Sequence, residues 1–389
     1  MTVGLLSLLA VLVLAFLRVP LAFALLSVSL GGIGVVMGWD VARSLVPMTI
    51  SEAVFSYELA VVPMFILMGN ILARTGISDD LFRAANAFLG PVRGGLALST
   101  MVTCAGFSAV CGSSLATAAT MSKVAYPSMK RYGYSDALAS ATIAAGGTLG
   151  ILIPPSIILM IYGILTQTNI GHLFVAGVVP GLLGLLMYLL VIYAVARISP
   201  QDAPRGERTT MAEKLHALRG VWPFTLLFVL IIGGLYGKLF TATEAAGMGA
   251  GLALILSMVQ RRMSWQDFRH IFIETATTSV MLYSVLFGAL LFAKLISFSG
   301  LGEGILELFN QAGLGPWGTI VAILVVFLLL GCVMDSLAII LICVPLFVPI
   351  LLAHGFDLVW FGIIVVVVTE IALITPPIGM NVFVLKATL

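Results

Sequence analysis

Apolar residues fall in long blocks along this chain, separated by short polar breaks. A membrane-spanning helix needs about 20 largely apolar residues. Continuous spans are predicted near 3–17, 20–37, 56–73, 173–196, 221–238, 242–260, 273–296 and 358–374, the first of them short for the purpose. Segments 94–127 and 317–350 are apolar but interrupted, and 137–166 is broken by Gly146-Gly147, Gly150 and Pro154-Pro155. Residues 1–17 lack the basic start and small-residue cleavage pattern of a signal peptide, and apolar sequence resumes after Arg18-Val19-Pro20. They read as a retained first helix.

Composition agrees with a polytopic membrane protein. Of 389 residues, 61% are hydrophobic and 9% charged, against about 25% charged in soluble domains. So little charge cannot cover a water-facing surface, which excludes a soluble enzyme, a nucleic-acid binder and a disordered chain. The formal net charge of +2 implies no global electrostatic partner. Cys104, Cys111, Cys332 and Cys343 lie inside apolar runs without a CxxC pair, so they read as core filler rather than a disulfide or zinc framework.

The basic residues set an orientation. With the N-terminus outside, and with both interrupted segments entering and leaving on one side, Arg18, Arg74, Arg83, Arg93, Lys123, Lys130, Arg131, Arg197, Arg205, Arg208, Lys214, Arg219, Arg261, Arg262, Arg269 and Lys386 are cytoplasmic. Only Arg43, Lys238 and Lys294 fall outside. This is a strong positive-inside bias. A full crossing by 94–127 would move Lys123, Lys130 and Arg131 outside and destroy it, so the charges favour a re-entrant hairpin. The polar stretch 198–220 reads as a cytoplasmic linker between two halves.

Those halves repeat. Thr75-Gly76-Ile77 through Leu89-Gly90-Pro91 echoes Ser299-Gly300-Leu301 through Leu314-Gly315-Pro316. At a shift of 222, Pro154-Pro155 falls on Pro376-Pro377 and Ser113-Ser114 on Asp335-Ser336. Repeats of this kind fix an architecture early. The predicted order is N-terminal scaffold helices and an arm in 1–55, then a first repeat in 56–170 with hairpin 94–127 and broken helix 137–166. Scaffold helices and the linker follow in 171–272, then a second repeat in 273–389 with hairpin 317–350 and broken helix 358–385. Five crossings between the hairpins invert the second copy. Inverted repeats with broken helices mark secondary transporters, with the site near the midplane.

Four segments carry the candidate chemistry. A hairpin turning at Gly112 ends inside the membrane, because arms of about 16 residues reach only about 24 Å. Its second arm then starts there with free N–H groups and a serine cap, a default anion site. Gly150 through Pro154-Pro155-Ser156 breaks a helix and frees carbonyls, which a bound cation can satisfy. Gly331 through Asp335-Ser336 and Thr375-Pro376-Pro377-Ile378-Gly379-Met380-Asn381 are the partners in the second half. Taken singly, each segment could equally be a kinked helix or small-residue packing; matched positions in a repeat argue otherwise. Asp335 is either functional or a helix cap, and Glu370 either a proton site or a hydrogen-bonded helix contact. His172 and His354 are expected to be solvated in outer loops. An intramembrane serine protease using Ser108 or Ser114 would need a base, and none of His172, His216, His270 and His354 lies inside an apolar span.

These residues resemble the large membrane subunit of the tripartite ATP-independent periplasmic (TRAP) transporters, the DctM-like family. The match rests on Gly112-Ser113-Ser114-x-Ala116-Thr117, Gly150-x-x-Ile153-Pro154-Pro155-Ser156 and Thr375-Pro376-Pro377-Ile378-Gly379-Met380-Asn381, and extends over essentially the whole chain. The resemblance implies an all-α, ion-transporter-superfamily-like protein of the bacterial inner membrane working as an elevator. It implies no enzyme activity and no organic cofactor. It implies uptake of small organic acids such as C4-dicarboxylates, sialic acid or sugar acids, driven by Na+. A periplasmic substrate-binding protein and a small four-helix membrane subunit, here expected as a separate chain, would be partners. One sodium site would use Ser113, Ser114, Gly150, Ile153 and Pro155, the other Gly331, Ala372, Thr375 and Ile378. Substrate contacts would fall on Ser114, Thr117, Asp335, Ser336 and Asn381. The family often has glycine at the position of Ala372, and normally continues through a further helix where this sequence stops at Leu389. A stand-alone carboxylate symporter of similar architecture is the alternative.

Overall fold

The computed structural model describes residues 1–207 and 209–389, the side chain of Val110 excepted. Arg208, counted above among the cytoplasmic cations, lies outside the described residues. Helices α1 (Thr2–Phe16), α2 (Leu21–Met37) and α3 (Trp39–Val54) open the chain. After a 3-10 turn at Tyr57–Ala60 come α4 (Val61–Arg74), α5 (Ile77–Leu89), α6 (Gly95–Cys111), α7 (Ser114–Val124), α8 (Tyr126–Arg131), α9 (Asp136–Leu152) and α10 (Ile157–Thr166). Then follow α11 (Ile170–Ile198), α12 (Met211–Tyr236), α13 (Ala242–Val259) and α14 (Trp265–Ser299). The chain ends with α15 (Leu301–Gln311), α16 (Pro316–Gly331), α17 (Ser336–Ala353), α18 (Leu358–Leu373) and α19 (Met380–Thr388). No strand occurs among the described residues, and seven helical stretches are long and apolar enough to cross a membrane.

Burial sorts these stretches. In α9–α10, 83% of the most apolar window is enclosed by protein, against 17% in α11. The first is therefore the centre of the molecule. The second turns Val179, Leu182, Leu186, Met187 and Leu190 outward, as a lipid-facing helix does. Glycine lets the central helices close up. A Cβ on Gly146 would lie 2.6 Å from Cys104 Sγ, so α9 approaches α6 at backbone distance. Likewise α13 meets α4 where Gly249 faces Met68, and α14 meets α2 where Gly288 faces Leu25.

The repeat read from the sequence is carried by the helices. At the shift of 222, the start of α7 falls on that of α17 and the start of α9 on that of α18. The N-caps Ser113 and Asp335 correspond, as do Ser135 and Asp357. The base of the α6–α7 hairpin is stitched to the α11–α12 loop. Gly94 N donates to Ala203 O (3.2 Å), Gly206 N to Gly90 O (2.9 Å) and Ser135 N to Asp202 O (3.3 Å). Nearby, Asp80 accepts from Arg262 and pairs with Arg83 at 3.5 Å. From this end α9 runs inward, and α10 carries Tyr162 to the opposite end. There its hydroxyl donates to Leu358 O (2.6 Å), beside the Trp317–Phe356–Trp360 cluster at the base of α16 and α17. The two hairpin bases thus lie at opposite ends of the bundle.

Several expectations are corrected. The 198–220 linker is shorter, because α12 begins at Met211. Thr210 accepts from Glu213 N (3.3 Å) and Glu213 Oε2 from Thr210 N (2.7 Å), a capping box that starts the helix inside the polar stretch. The second arm of the first hairpin breaks at Ala125, since Pro127 has no N–H and its ring crowds the preceding turn. His354 is half-buried rather than solvated. Gly355 turns the chain at φ +73°, the ring packs 6.4 Å from that of Phe356, and Nε2 is enclosed without a partner among the described residues.

Tyr134 fixes the base of the first hairpin. It is 2% exposed, and burial pushes its phenol up to about 12. Its hydroxyl accepts from Leu96 N (3.1 Å), one of the free N–H groups in the first turn of α6, and donates to Pro204 O (2.9 Å). Tyr134→Phe strands both groups at a cost of about 1–3 kcal/mol. The thermal unfolding midpoint of the detergent-solubilised protein should fall; an unchanged midpoint would show that water reaches the site.

Candidate functional site

Each hairpin turn rests against the helix break of its own repeat. Gly112 ends α6 at φ +61°, and a Cβ there would lie 3.3 Å from both Pro155 O and Ile157 N. Glycine is required twice over, for the left-handed turn and for the close approach. Ser113 then caps α7, its Oγ accepting from Ala116 N at 3.4 Å. In the second repeat Asp335 Oδ2 accepts from Ala338 N at 3.4 Å, and Ile378 N donates to Cys332 O at 3.3 Å. The breaks match as well. α9 stops at Leu152, and Ser156 caps α10 by accepting from Leu159 N (3.2 Å). α18 stops at Leu373, and Gly379 at φ +60° opens α19.

The two repeats then meet. Asn381, fully buried at the start of α19, donates from Nδ2 to Ala144 O of α9 at 3.2 Å. Its Oδ1 is buried without a partner among the described residues. Gly147 separates Asn381 from Ser114: a Cβ there would lie 3.1 Å from Ser114 O and 3.2 Å from Asn381 Nδ2. An enclosed amide oxygen with nothing to accept from is costly.

The first sodium set is compact. Ser113 lies against Gly150, where a Cβ would come within 3.3 Å of the Ser113 carbonyl carbon, and Pro155 O faces Gly112. Ile153 is extended (φ −87°, ψ 117°), and its side chain packs against Gly181 of α11. In the second set, Gly331 approaches Ala372 so closely that a Cβ would sit 2.4 Å from the alanine methyl. Thr375 turns its hydroxyl back to Ile371 O (2.6 Å), and Ile378 is 44% exposed, so this set is the more open. Among the described residues no group of three or more His, Cys, Asp or Glu could hold a metal. A cation here would be held by carbonyl and hydroxyl oxygens, the donors that broken membrane helices offer.

Of the substrate candidates, Ser114, Thr117, Ser336 and Asn381 are all buried. Thr117 accepts from Ser108 across the hairpin (3.3 Å). Asp335, left open between function and capping, is the cap of α17 and borders a cavity of about 260 Å³ walled by Phe16, Val19, Met334 and Met380. Glu370, expected as either a proton site or a hydrogen-bonded helix contact and placed in neither the sodium nor the substrate sets, makes hydrogen bonds at this centre. It is 2% exposed on α18, and both of its oxygens accept from serine hydroxyls, one on each hairpin. Its signal in the sequence is a lone acid deep in an apolar span.

This geometry can be set beside known proteins. A family described as tripartite ATP-independent periplasmic transporter, DctM component, matches residues 8–388. The C4-dicarboxylate TRAP transporter large permease protein DctM of Pseudomonas aeruginosa is 39% identical over 349 residues, covering 90% of this chain and 81% of its own. The ectoine TRAP transporter large permease protein TeaC of Halomonas elongata is 36% identical, covering 84% and 76%. The sialic acid TRAP transporter large permease protein SiaM of Vibrio cholerae is 30% identical, covering 96% and 87%. Among solved structures, the Alcanivorax borkumensis YdaH transporter superimposes with a TM-score of 0.62 over 90% of this chain and 82% of its own, at 14% identity, a likeness of fold alone. An all-helical membrane chain with paired hairpins and paired Pro-Pro breaks, matched end to end by one transporter family, belongs to that family: it is a DctM-type large permease component of the tripartite ATP-independent periplasmic transporters.

Proposed function

We propose that this chain is the membrane-embedded carrier of a sodium-driven importer of small organic acids. The observation that carries the reading is that each hairpin turn rests against the Pro-Pro break of its own repeat and that Asn381 joins the repeats, with its Oδ1 buried without a partner among the described residues. Unwound backbone at membrane depth is tolerated where it lines a polar site. The carbonyls of Gly150, Ile153 and Pro155, with Ser113 and Ser114, form one cradle for sodium. Gly331, Ala372, Thr375 and Ile378 form the other. An acid's carboxylate is received at the N-terminus of α7, where free N–H groups and the helix dipole favour negative charge, with Ser114, Ser336 and Asn381 beside it. Sodium and acid bound side by side neutralise one another, which lowers the cost of holding either away from water.

The two repeats are inverted in the membrane, with both hairpins re-entrant, as the opposite placement of their bases supports. They form a carrier that slides against the scaffold helices of 1–55 and 171–272. The protein lies in the inner membrane with its N-terminus periplasmic and the 199–210 loop cytoplasmic. A periplasmic binding protein delivers the acid and a small four-helix subunit completes the scaffold. Relatives named for C4-dicarboxylate, ectoine and sialic acid support a substrate among small polar acids and zwitterions. Uptake by this chain and its small subunit in vesicles without any binding protein would favour a stand-alone symporter instead.

Two outcomes test the reading. Ser113→Ala or Thr375→Ala removes one hydroxyl oxygen, so the sodium concentration for half-maximal uptake should rise about 2–10-fold, the equivalent of about 0.5–1.5 kcal/mol. Both variants should still fold, Ser113→Ala losing only the about 0.5–2 kcal/mol of a helix cap; an unchanged sodium dependence in both variants refutes the sites. For the inversion, a cysteine-free protein carrying either Leu352→Cys or Arg131→Cys, both exposed positions, should label with an impermeant maleimide from outside only in the first case. Labelling of both from one face contradicts it.

A further inference from the structure

Glu370 lies near the centre of the molecule, and its environment differs from that of every other acid described. Oε2 accepts from Ser114 Oγ at 2.6 Å, and Oε1 accepts from Ser336 Oγ at 3.2 Å. Ser114 is the first residue of α7 and Ser336 the first residue of α17. They are register mates at the shift of 222, so one carboxyl is shared by equivalent points of the two hairpins. All three residues are 2–3% exposed. Among the described residues, Glu370 takes part in no ion pair.

The repeat is not symmetric here. The register mate of Glu370 is Thr148, whose hydroxyl donates to Ala145 O (2.6 Å) and meets Tyr188 Oη (3.1 Å). That threonine touches neither hairpin tip by hydrogen bond. A single side chain in the second copy therefore does for both tips what two-fold symmetry would have left to two.

We propose that Glu370 is a positioning residue that couples the two hairpins. Its oxygens hold the first turns of α7 and α17 to one point on α18, so neither tip can open without loosening the other's anchor. The proposal rests on the sodium reading only for the identity of the ion. Ser113 and Ser114 open α7, and Ala372 lies two residues beyond Glu370 on α18, so both candidate cation sites are set by the same side chain. An ion entering one site orders the tip that the shared carboxyl holds for the other. The coupling is reciprocal, as linkage requires.

The side-chain chemistry separates a tie from a mere filler. A carboxyl offers two oxygens, each with lone pairs, and can accept from two hydroxyls at once. Glutamine can still bridge, because its oxygen accepts from one serine and its amide donates to the other, whose hydroxyl rotates to suit. Leucine fills the volume and makes no bridge. Ser336→Ala removes one leg, on the hairpin remote from Ser113, Gly150 and Pro155, and leaves the other in place.

The test combines sodium-dependent uptake by the assembled transporter with hydrogen exchange of residues 114–124 and 336–342. In Ser336→Ala, the sodium concentration for half-maximal uptake should rise about fivefold to tenfold, the lower range of measured coupling, with a shallower sodium dependence. Glu370→Leu should speed exchange in both segments. Adding Ser336→Ala to it should change nothing further, because the tie is already cut. Glu370→Gln should restore most of the wild-type behaviour. Effects of Glu370→Leu and Ser336→Ala that multiply, or exchange that rises only in 114–124, would overturn the coupling. If Glu370→Leu does not fold, the same cycle is run with Ser114→Ala and Ser336→Ala, where non-multiplying effects uphold the tie and multiplying ones overturn it. If wild-type uptake proves independent of sodium, the ion assignment falls. Exchange then decides the tie alone: loosening of both segments supports it and loosening of one refutes it.

Discussion

Backbone groups released by a broken helix must find partners, and in the interior of a membrane protein water does not supply them. Everything at the centre of this molecule follows from that constraint. Two Pro-Pro breaks and two hairpin turns each expose carbonyls and N–H groups, and the fold places them against one another. Gly112 lies on the Pro155 carbonyl, Ile378 donates to Cys332, and Asn381 reaches from the second repeat to Ala144 of the first. Asn381 Oδ1 is left buried without a partner among the described residues.

Close approach is the second requirement, and small residues supply it. Gly146, Gly147 and Gly150 all lie on one helix, α9, and each faces a different neighbour: Cys104, Asn381 with Ser114, and Ser108 with Ser113. A methyl at any of these positions would push the hairpin from the broken helix by a few tenths of an ångström or more. In the second repeat Gly331 meets Ala372 with no room to spare. The alanine methyl there fills space that a glycine would leave open, and the exposed Ile378 makes that half of the centre the looser one.

Much of this was legible in the sequence because its cause is local. Tandem prolines break a helix, so the interruptions at Pro154-Pro155 and Pro376-Pro377 could be read from residues alone, and the helices stop shortly before them at Leu152 and Leu373. Gly112 signalled a turn, and matched spacing in the two halves gave the pairing of segments. The start of α12 was also legible in Thr210-x-x-Glu213, yet the polarity of the stretch hid it. What could not be read depends on tertiary approach. Asp335 is a cap because of where α17 begins relative to the turn before it. His354 is enclosed because Phe356 folds back over it. Glu370 joins Ser114 and Ser336 only because α18 passes between two hairpins distant in sequence, and no window of residues around position 370 encodes that meeting.

The central claim is that both hairpins turn inside the bilayer and enclose a shared polar centre. A cryo-EM map of the assembled transporter in lipid nanodiscs, collected in sodium and again with sodium replaced by choline, reads it directly. The account predicts that Gly112 and Cys332 lie near mid-depth of the lipid density, with compact non-protein density beside Gly150 and Pro155 in sodium alone. Either turn emerging at a lipid surface, or the two Pro-Pro breaks lying far apart at opposite faces, would contradict it.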